Sequence, residues 1–239
     1  MGRLNKEIEL TYLGHSTFKI KSPGGKVTIV DPWVMNNPAC PEDLKEVCDV
    51  DIIAVTHAHF DHIGDAVEIG KKHQPKVVGI FETCVWLNSK GVENISPMNK
   101  GGTQEVDGIK FTMVHADHSC GIQEEDGSII YGGEAAGYVI EFENGFKVYH
   151  AGDTAVFGDM KLIAEIYKPE LAMIPIGDLY TMSPLEASHA CRFLSAKYVI
   201  PMHYATFPAL TGTPAKLREL TGDIKGLEII ELKPGDTLS

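Results

Sequence analysis

Six consecutive residues, His57-Ala58-His59-Phe60-Asp61-His62, constrain this chain more than any other stretch. They follow Asp51-Ile52-Ile53-Ala54-Val55-Thr56, an apolar run that reads as a buried strand. They precede Gly64 to His73, where Ala66, Val67 and Ile69 recur as on an amphipathic helix. At a strand end, residues two apart point to the same side, so His57 and His59 converge, and the turn beyond can swing Asp61 and His62 back toward them. Four nitrogen and oxygen donors in six residues suit Zn²⁺, Mn²⁺ or Fe²⁺. With little cysteine near this turn, an open catalytic site is expected rather than a closed structural zinc knuckle. Asp61 also suits a helix N-cap, since it stands just before the helical pattern.

The stretches around this turn follow one plan. Ile8 to Leu13, Thr17 to Ile20 and, past the Pro23-Gly24-Gly25 turn, Val27 to Val30 predict an antiparallel meander. Ile109 to Val114 ends at a second histidine-rich stretch, and Tyr138 to Glu141 with Phe146 to Tyr149 reads as a hairpin ending at Ala151-Gly152-Asp153-Thr154. Leu171 to Ile174 and Tyr198 to Pro201 also stop at polar residues, Gly177-Asp178 and His203. Two sheets packed face to face are expected, with helices outside and the polar strand ends along one edge. No Pro/Gly/Ser-rich linker interrupts the 239 residues, so 1–239 reads as a single domain, and the Gly101-Gly102 and Gly132-Gly133 pairs read as turns.

Charge and cysteine content narrow the function. A formal charge of -12 argues against a broad surface for long nucleic acids, because polyanion binding rests on Lys and Arg. Bound cations would offset part of that acidity where a small anionic substrate sits. Five cysteines, an odd number without a C-x-x-C pair, fit reduced thiols in the cytoplasm. The N-terminal Met-Gly-Arg-Leu-Asn-Lys-Glu carries no apolar export signal, and no apolar run approaches the roughly 20 residues of a membrane span. A homo-oligomer remains open.

The turn at positions 57 to 62 meets the His-x-His-x-Asp-His signature of the metallo-β-lactamase superfamily without departure, and the chain resembles that superfamily further along. His118 in His-Ala-Asp-His-Ser, Asp153 in Ala-Gly-Asp-Thr and His203 in Pro-Met-His-Tyr match its later ligands in order. Leu13-Gly14-His15-Ser16-Thr17-Phe18, Asp31-Pro32-Trp33, Pro175-Ile176-Gly177-Asp178, Thr181-Met182-Ser183-Pro184 with Glu186-Ala187, and Pro201 to Tyr204 look like its branch of metal-dependent hydrolases related to ascorbate-6-phosphate lactonase. The resemblance implies an α/β fold of the α+β type, a four-layer αββα sandwich. It also implies two divalent cations, Zn²⁺ first and Mn²⁺ or Fe²⁺ as alternatives. His57, His59 and His118 would hold one, Asp61, His62 and His203 the other, with Asp153 bridging. His115 competes with His118, but Ser119 after His118 agrees with the family pattern, in which a small hydroxyl residue follows the ligand.

Such a site implies hydrolysis of a small ester or lactone by a metal-bound hydroxide, with Asp61 also orienting the hydroxide and receiving its proton. The alternatives are a phosphodiesterase acting on a small phosphodiester and a non-hydrolytic di-metal redox protein. Diiron relatives that reduce oxygen usually carry Glu at the position of His59. No Gly-x-Ser-x-Gly elbow, P-loop or dinucleotide fingerprint is present. His15 is read either as a catalytic donor to a substrate oxyanion or a metal ligand, or as a structural histidine in a tight turn. Cys120 is either a thiol close enough to brace a ligand or a small buried residue. Asp178, with Tyr180 and Thr181, lines one side of the pocket, and either holds a ligand histidine or serves the turn. His73, His150 and His189 are left as structural or surface residues.

Overall fold

The computed structural model describes Leu4 and residues 6–239. Met1 to Arg3 and Asn5, part of the segment read above for an export signal, lie outside the described residues. Glu9–Gly14 (β1), Thr17–Lys21 (β2) and Val27–Val30 (β3) form the expected antiparallel meander. Ile52–Ala54 (β4), Lys76–Ile80 (β5) and Ile95–Met98 (β6) then add in parallel. Their crossovers are the helices Phe60–Ile63 (α1), Ala66–His73 (α2) and Phe81–Ser89 (α3). Parallel strands need such crossovers, and a strand covered on both faces reads as a continuous apolar run, as Ile52–Ala54 does.

The second half builds a matching layer. Thr103–Val106 (β7) and Ile109–His115 (β8) pair as a hairpin, and Gly121–Gln123 (β9) with Ile129–Tyr131 (β10) makes a separate two-stranded ribbon. Ala136–Glu141 (β11) lies antiparallel between β8 and Lys147–His150 (β12). Leu171–Pro175 (β13), Tyr198–Met202 (β14) and Glu228–Ile229 (β15) follow in parallel through the helices Met160–Tyr167 (α4), Pro184–Leu194 (α5) and Pro214–Thr221 (α6). With Thr237–Leu238 (β16) closing on β1, the sheets run β16-β1-β2-β3-β4-β5-β6 and β15-β14-β13-β12-β11-β8-β7.

Side-chain alternation shows how the layers stack. Ile52 and Ala54 join Phe111, Tyr138 and Val148 in the core between the sheets, while Ile53 and Val55 join Ile63, Ala66, Ile69 and Leu87 beneath the helices of the first half. This is the four-layer sandwich expected from the sequence. Among the described residues no helix is long and apolar enough to cross a membrane.

The topology also decides where chemistry can sit. β1, β3 and β4 run in one direction within the first sheet, as do β8, β12, β13 and β14 within the second. Their C-terminal ends meet along one edge, where Ala136 N donates to the Thr56 carbonyl at 3.0 Å, His203 N to that of His15 at 2.8 Å, and the Tyr138 hydroxyl to that of Val55 at 2.9 Å.

Gly177, just past β13, packs so closely on the loop after β14 that a Cβ there would collide with the His203 carbonyl oxygen. Overpacking against fixed backbone costs about 1–3 kcal/mol or more. Gly177→Ala should therefore lower unfolding stability by that amount in denaturant titration; unchanged stability would show that the loop carrying His203 is free to move.

Candidate metal centre

Each strand end along this edge supplies one or more side chains. The turn after β4 presents His57, His59, Asp61 and His62; the loops after β8, β12 and β14 present His118, Asp153 and His203. Ring nitrogens of His57, His59 and His118 lie within 4.8 Å of one another, as do ligand atoms of His15, Asp61, His62 and His203, and those of His57, His62 and Asp153. Asp153 Oδ2 stands at the centre, 3.9 Å from His57 Nε2, 3.3 Å from His62 Nε2, 3.8 Å from His118 Nε2 and 3.0 Å from His203 Nε2. Gly152 makes this approach possible: at φ +63° it turns the chain past the Ala136 carbonyl, 2.7 Å from where a Cβ would stand.

Buried carboxylates and carbonyls fix the rings. Asp31, fully buried at φ +51°, accepts from Thr56 N at 2.8 Å, Thr56 Oγ1 at 2.7 Å and His62 Nδ1 at 2.8 Å. One carboxylate thus holds the turn and directs His62 Nε2 toward Asp153, the way outer carboxylates orient metal-binding imidazoles. Cys120 Sγ accepts from Ala58 N at 3.3 Å and donates to the Gly132 carbonyl at 3.3 Å, bracing the same turn from the other side. Asp61 makes no capping bond; His59 occupies the N-cap position of α1.

The donor set fits a divalent cation. His62 Nε2, His203 Nε2 and Asp153 Oδ1 are buried without a hydrogen-bond partner, although His62 and His203 stand within ion-pair range of the Asp153 carboxylate. Unpaired buried polar atoms are costly, and a cation accepted by all three removes the cost. Before a cation binds, only protons can balance Asp153. Burial pulls the His62 pKa down, but Asp153 and Asp31 outweigh it and raise it well above the usual range. The same contest lifts His203 to about 9. Burial would raise the Asp153 carboxyl, but His203 and His62 hold it well below the ordinary range. His57 is driven well below its usual value by burial, with His62 adding to the effect.

The remaining candidates fall on both sides of the site. His118 lies in the cluster, 5.1 Å from His57 and His59 ring to ring. His115 is exposed outside it, against Lys100 and Phe157. His15, read either as a donor to substrate or metal or as a structural histidine, is buried, with Nε2 3.0 Å from Asp61 Oδ2 and Nδ1 3.0 Å from Thr206 Oγ1. Asp178 serves its turn, at φ +69° and accepting from Leu179 N, rather than holding a histidine. Tyr180 is exposed, and Thr181 Oγ1 is buried without a partner. His150 is buried, donating to the Ser16 carbonyl and accepting from Gly152 N, which ties the β1–β2 turn to the Asp153 loop. Asp31, Thr56 and Thr206 were not singled out as site residues from sequence; only Asp31 carried a signal, within Asp31-Pro32-Trp33.

A family model described as a beta-lactamase superfamily domain matches residues 9–203. A UPF0173 metal-dependent hydrolase of Koribacter versatilis is 54% identical over 232 residues, 97% of this chain and 98% of the relative. The chain belongs to the metallo-β-lactamase superfamily, among its metal-dependent hydrolases. A second UPF0173 metal-dependent hydrolase, from Solibacter usitatus, is 56% identical over 230 residues, 95% of this chain and 98% of the relative. Among solved structures, Igni18, a metallo hydrolase from the archaeon Ignicoccus hospitalis, superposes with a TM-score of 0.84 at 34% identity, covering 97% of each chain.

Metal uptake by this superfamily member should carry a proton signature. His203, with its pKa raised to about 9, is protonated at pH 7, and a cation must displace that proton. Apparent affinity should climb as pH rises through about 9, and His62, raised well above its usual range, extends that climb. Calorimetric titration with zinc in buffers of different ionisation enthalpy should show net proton release at pH 7; uptake without release would contradict the charge balance described.

Proposed function

We propose that this metal-dependent hydrolase holds two divalent ions and cleaves a small ester or lactone by direct attack of water. The observation that carries the reading is the single Asp153 oxygen facing ring nitrogens from both histidine groups. His57, His59 and His118 would hold one ion and Asp61, His62 and His203 the other, with Asp153 between them. When bound, the ions, Zn²⁺ first and Mn²⁺ or Fe²⁺ as alternatives, supply Lewis acidity and a water of lowered pKa.

The chain's own residues do the rest. Asp61 is partly exposed while its companions His62 and His203 are buried, so its carboxylate is the part of that ligand group that solvent reaches. There it accepts the attacking water's hydrogen bond and then its proton. Burial would raise the Asp61 carboxyl, but the hydrogen bond from His15 and the neighbouring His203 and His62 rings hold it far below the usual range, so it is ionised and can accept a hydrogen bond at neutral pH. Cys120 is unsuited to act as a nucleophile, because burial raises its thiol pKa and its sulfur is engaged with backbone.

The substrate we favour is a small polar molecule carrying an anionic group, in keeping with the likeness to the ascorbate-6-phosphate lactonase branch. The net charge of -12 disfavours long nucleic acids as partners. Five free thiols favour the reducing cytoplasm.

Asp61→Ala and His118→Ala should each lower turnover at least about a hundredfold, while His115→Ala stays within a few-fold of the parent. Asp153→Asn should lose metal and activity more than melting temperature, since the amide keeps the shape and removes the charge. A panel of esters, lactones and phosphodiesters on zinc-loaded protein checks the substrate class. Phosphodiester cleavage with every ester and lactone untouched would replace the reading with a phosphodiesterase. Oxygen consumption by iron-loaded protein would replace it with redox chemistry.

A further inference from the structure

His15 and Thr206 are not needed to list the ligands, yet their geometry is tightly determined. His15 follows β1 at φ +58°, a left-handed conformation costly for a residue with a Cβ. Its carbonyl accepts from His203 N at 2.8 Å and from the Tyr12 hydroxyl at 3.0 Å, which holds the backbone in place. The ring is buried between Trp33 at 5.2 Å and His203 at 3.9 Å between centroids. Its two nitrogens point at Asp61 Oδ2 and Thr206 Oγ1, each at 3.0 Å.

The hydrogen bonds have one consistent direction. A bare ring nitrogen facing a carboxylate oxygen at that distance sets two lone pairs against each other, so Nε2 carries the proton and donates to Asp61. Nδ1 of the neutral ring is then an acceptor, and the Thr206 hydroxyl is the donor within reach. That hydroxyl's other acceptor, the Tyr204 carbonyl, is 3.4 Å away, long for an O–H···O bond.

We propose that Thr206 and His15 are positioning residues that fix the rotation of the Asp61 carboxylate, engaging Oδ2 and leaving its other oxygen for the cation and the attacking water. The inference rests on Asp61 being a ligand. Outer partners of this kind change metal affinity about 10–100-fold.

The test uses the full-length protein, with zinc as the probe and folding followed by thermal melting. Calorimetric zinc titrations of Asp61→Asn identify the equivalent that Asp61 holds. His15→Ala should weaken that equivalent about 10–100-fold, and His15→Gln, whose amide can still donate, should recover most of the loss. Thr206→Val should lie between, and Thr206→Ser should match the parent. Long-range ¹⁵N–¹H spectra of the histidine rings should place the His15 proton on Nε2 and move its signal in Asp61→Asn. Parent-like zinc binding in folded His15→Ala, or a proton on Nδ1 alone, would overturn this positioning role. Should His15→Ala fail to fold, parent-like binding in Thr206→Val overturns it equally. If Asp61→Asn itself binds zinc like the parent, the ligand reading of Asp61 falls instead, and the tautomer decides whether the hydrogen-bond chain exists.

Discussion

A single buried carboxylate, Asp153, stands within 3.9 Å of ring nitrogens from four histidines on three different loops. A charge withdrawn from water at that depth has to be matched, and two rows of partners do so here: the imidazoles themselves, and the carboxylates and carbonyls behind them. Asp31 secures His62 and the Thr56 backbone; the His15 carbonyl secures the His203 backbone. The backbone accommodates this arrangement through strain. Asp31, His15 and His203 all sit at positive φ, and none is glycine. Such conformations persist only where surrounding hydrogen bonds over-determine them, and here those bonds converge on the metal-binding edge.

Much of this was legible in the sequence because the ligands stand at strand ends, and strand ends are where an apolar run stops. Ile52–Ala54, Ile109–His115 and Tyr198–Met202 each break from apolar residues into a histidine-bearing loop. What stayed hidden depends on contacts distant in sequence. β5 and β6 went unassigned because Gly79 interrupts the run from Val77 to Ile80 and Pro97 that from Ile95 to Met98, and it is pairing with β4 and with each other that makes them strands. Thr206 gave no signal, because its partner His15 lies 191 positions away. The reverse also occurred. Thr181-Met182-Ser183-Pro184 with Glu186 entered through family likeness, but the structure gives Ser183 and Glu186 an architectural task. They form a capping box that starts α5, with Pro184 at its first turn.

The division between what two sheets hold and what loops expose explains why chemistry is more readable here than substrate. Every candidate ligand except His59, Asp61 and His118 is buried, and these three are the ones left partly accessible to solvent. The residues beside them are of another kind. Phe60, between His59 and Asp61, is 61% exposed and packs edge-on to Trp33, which in turn lies 5.9 Å from Phe207. Leu179 and Tyr180, two and three positions beyond the glycine pressed against His203, are likewise exposed. An exposed aromatic side chain does little for the fold, so it can change without disturbing Asp153 or the strands that deliver its partners. The ligand set is therefore constrained by burial and charge together, whereas the exposed side chains beside it are constrained by neither. Reaction class follows from the first and selectivity from the second, and a pattern of histidines and carboxylates speaks only to the first.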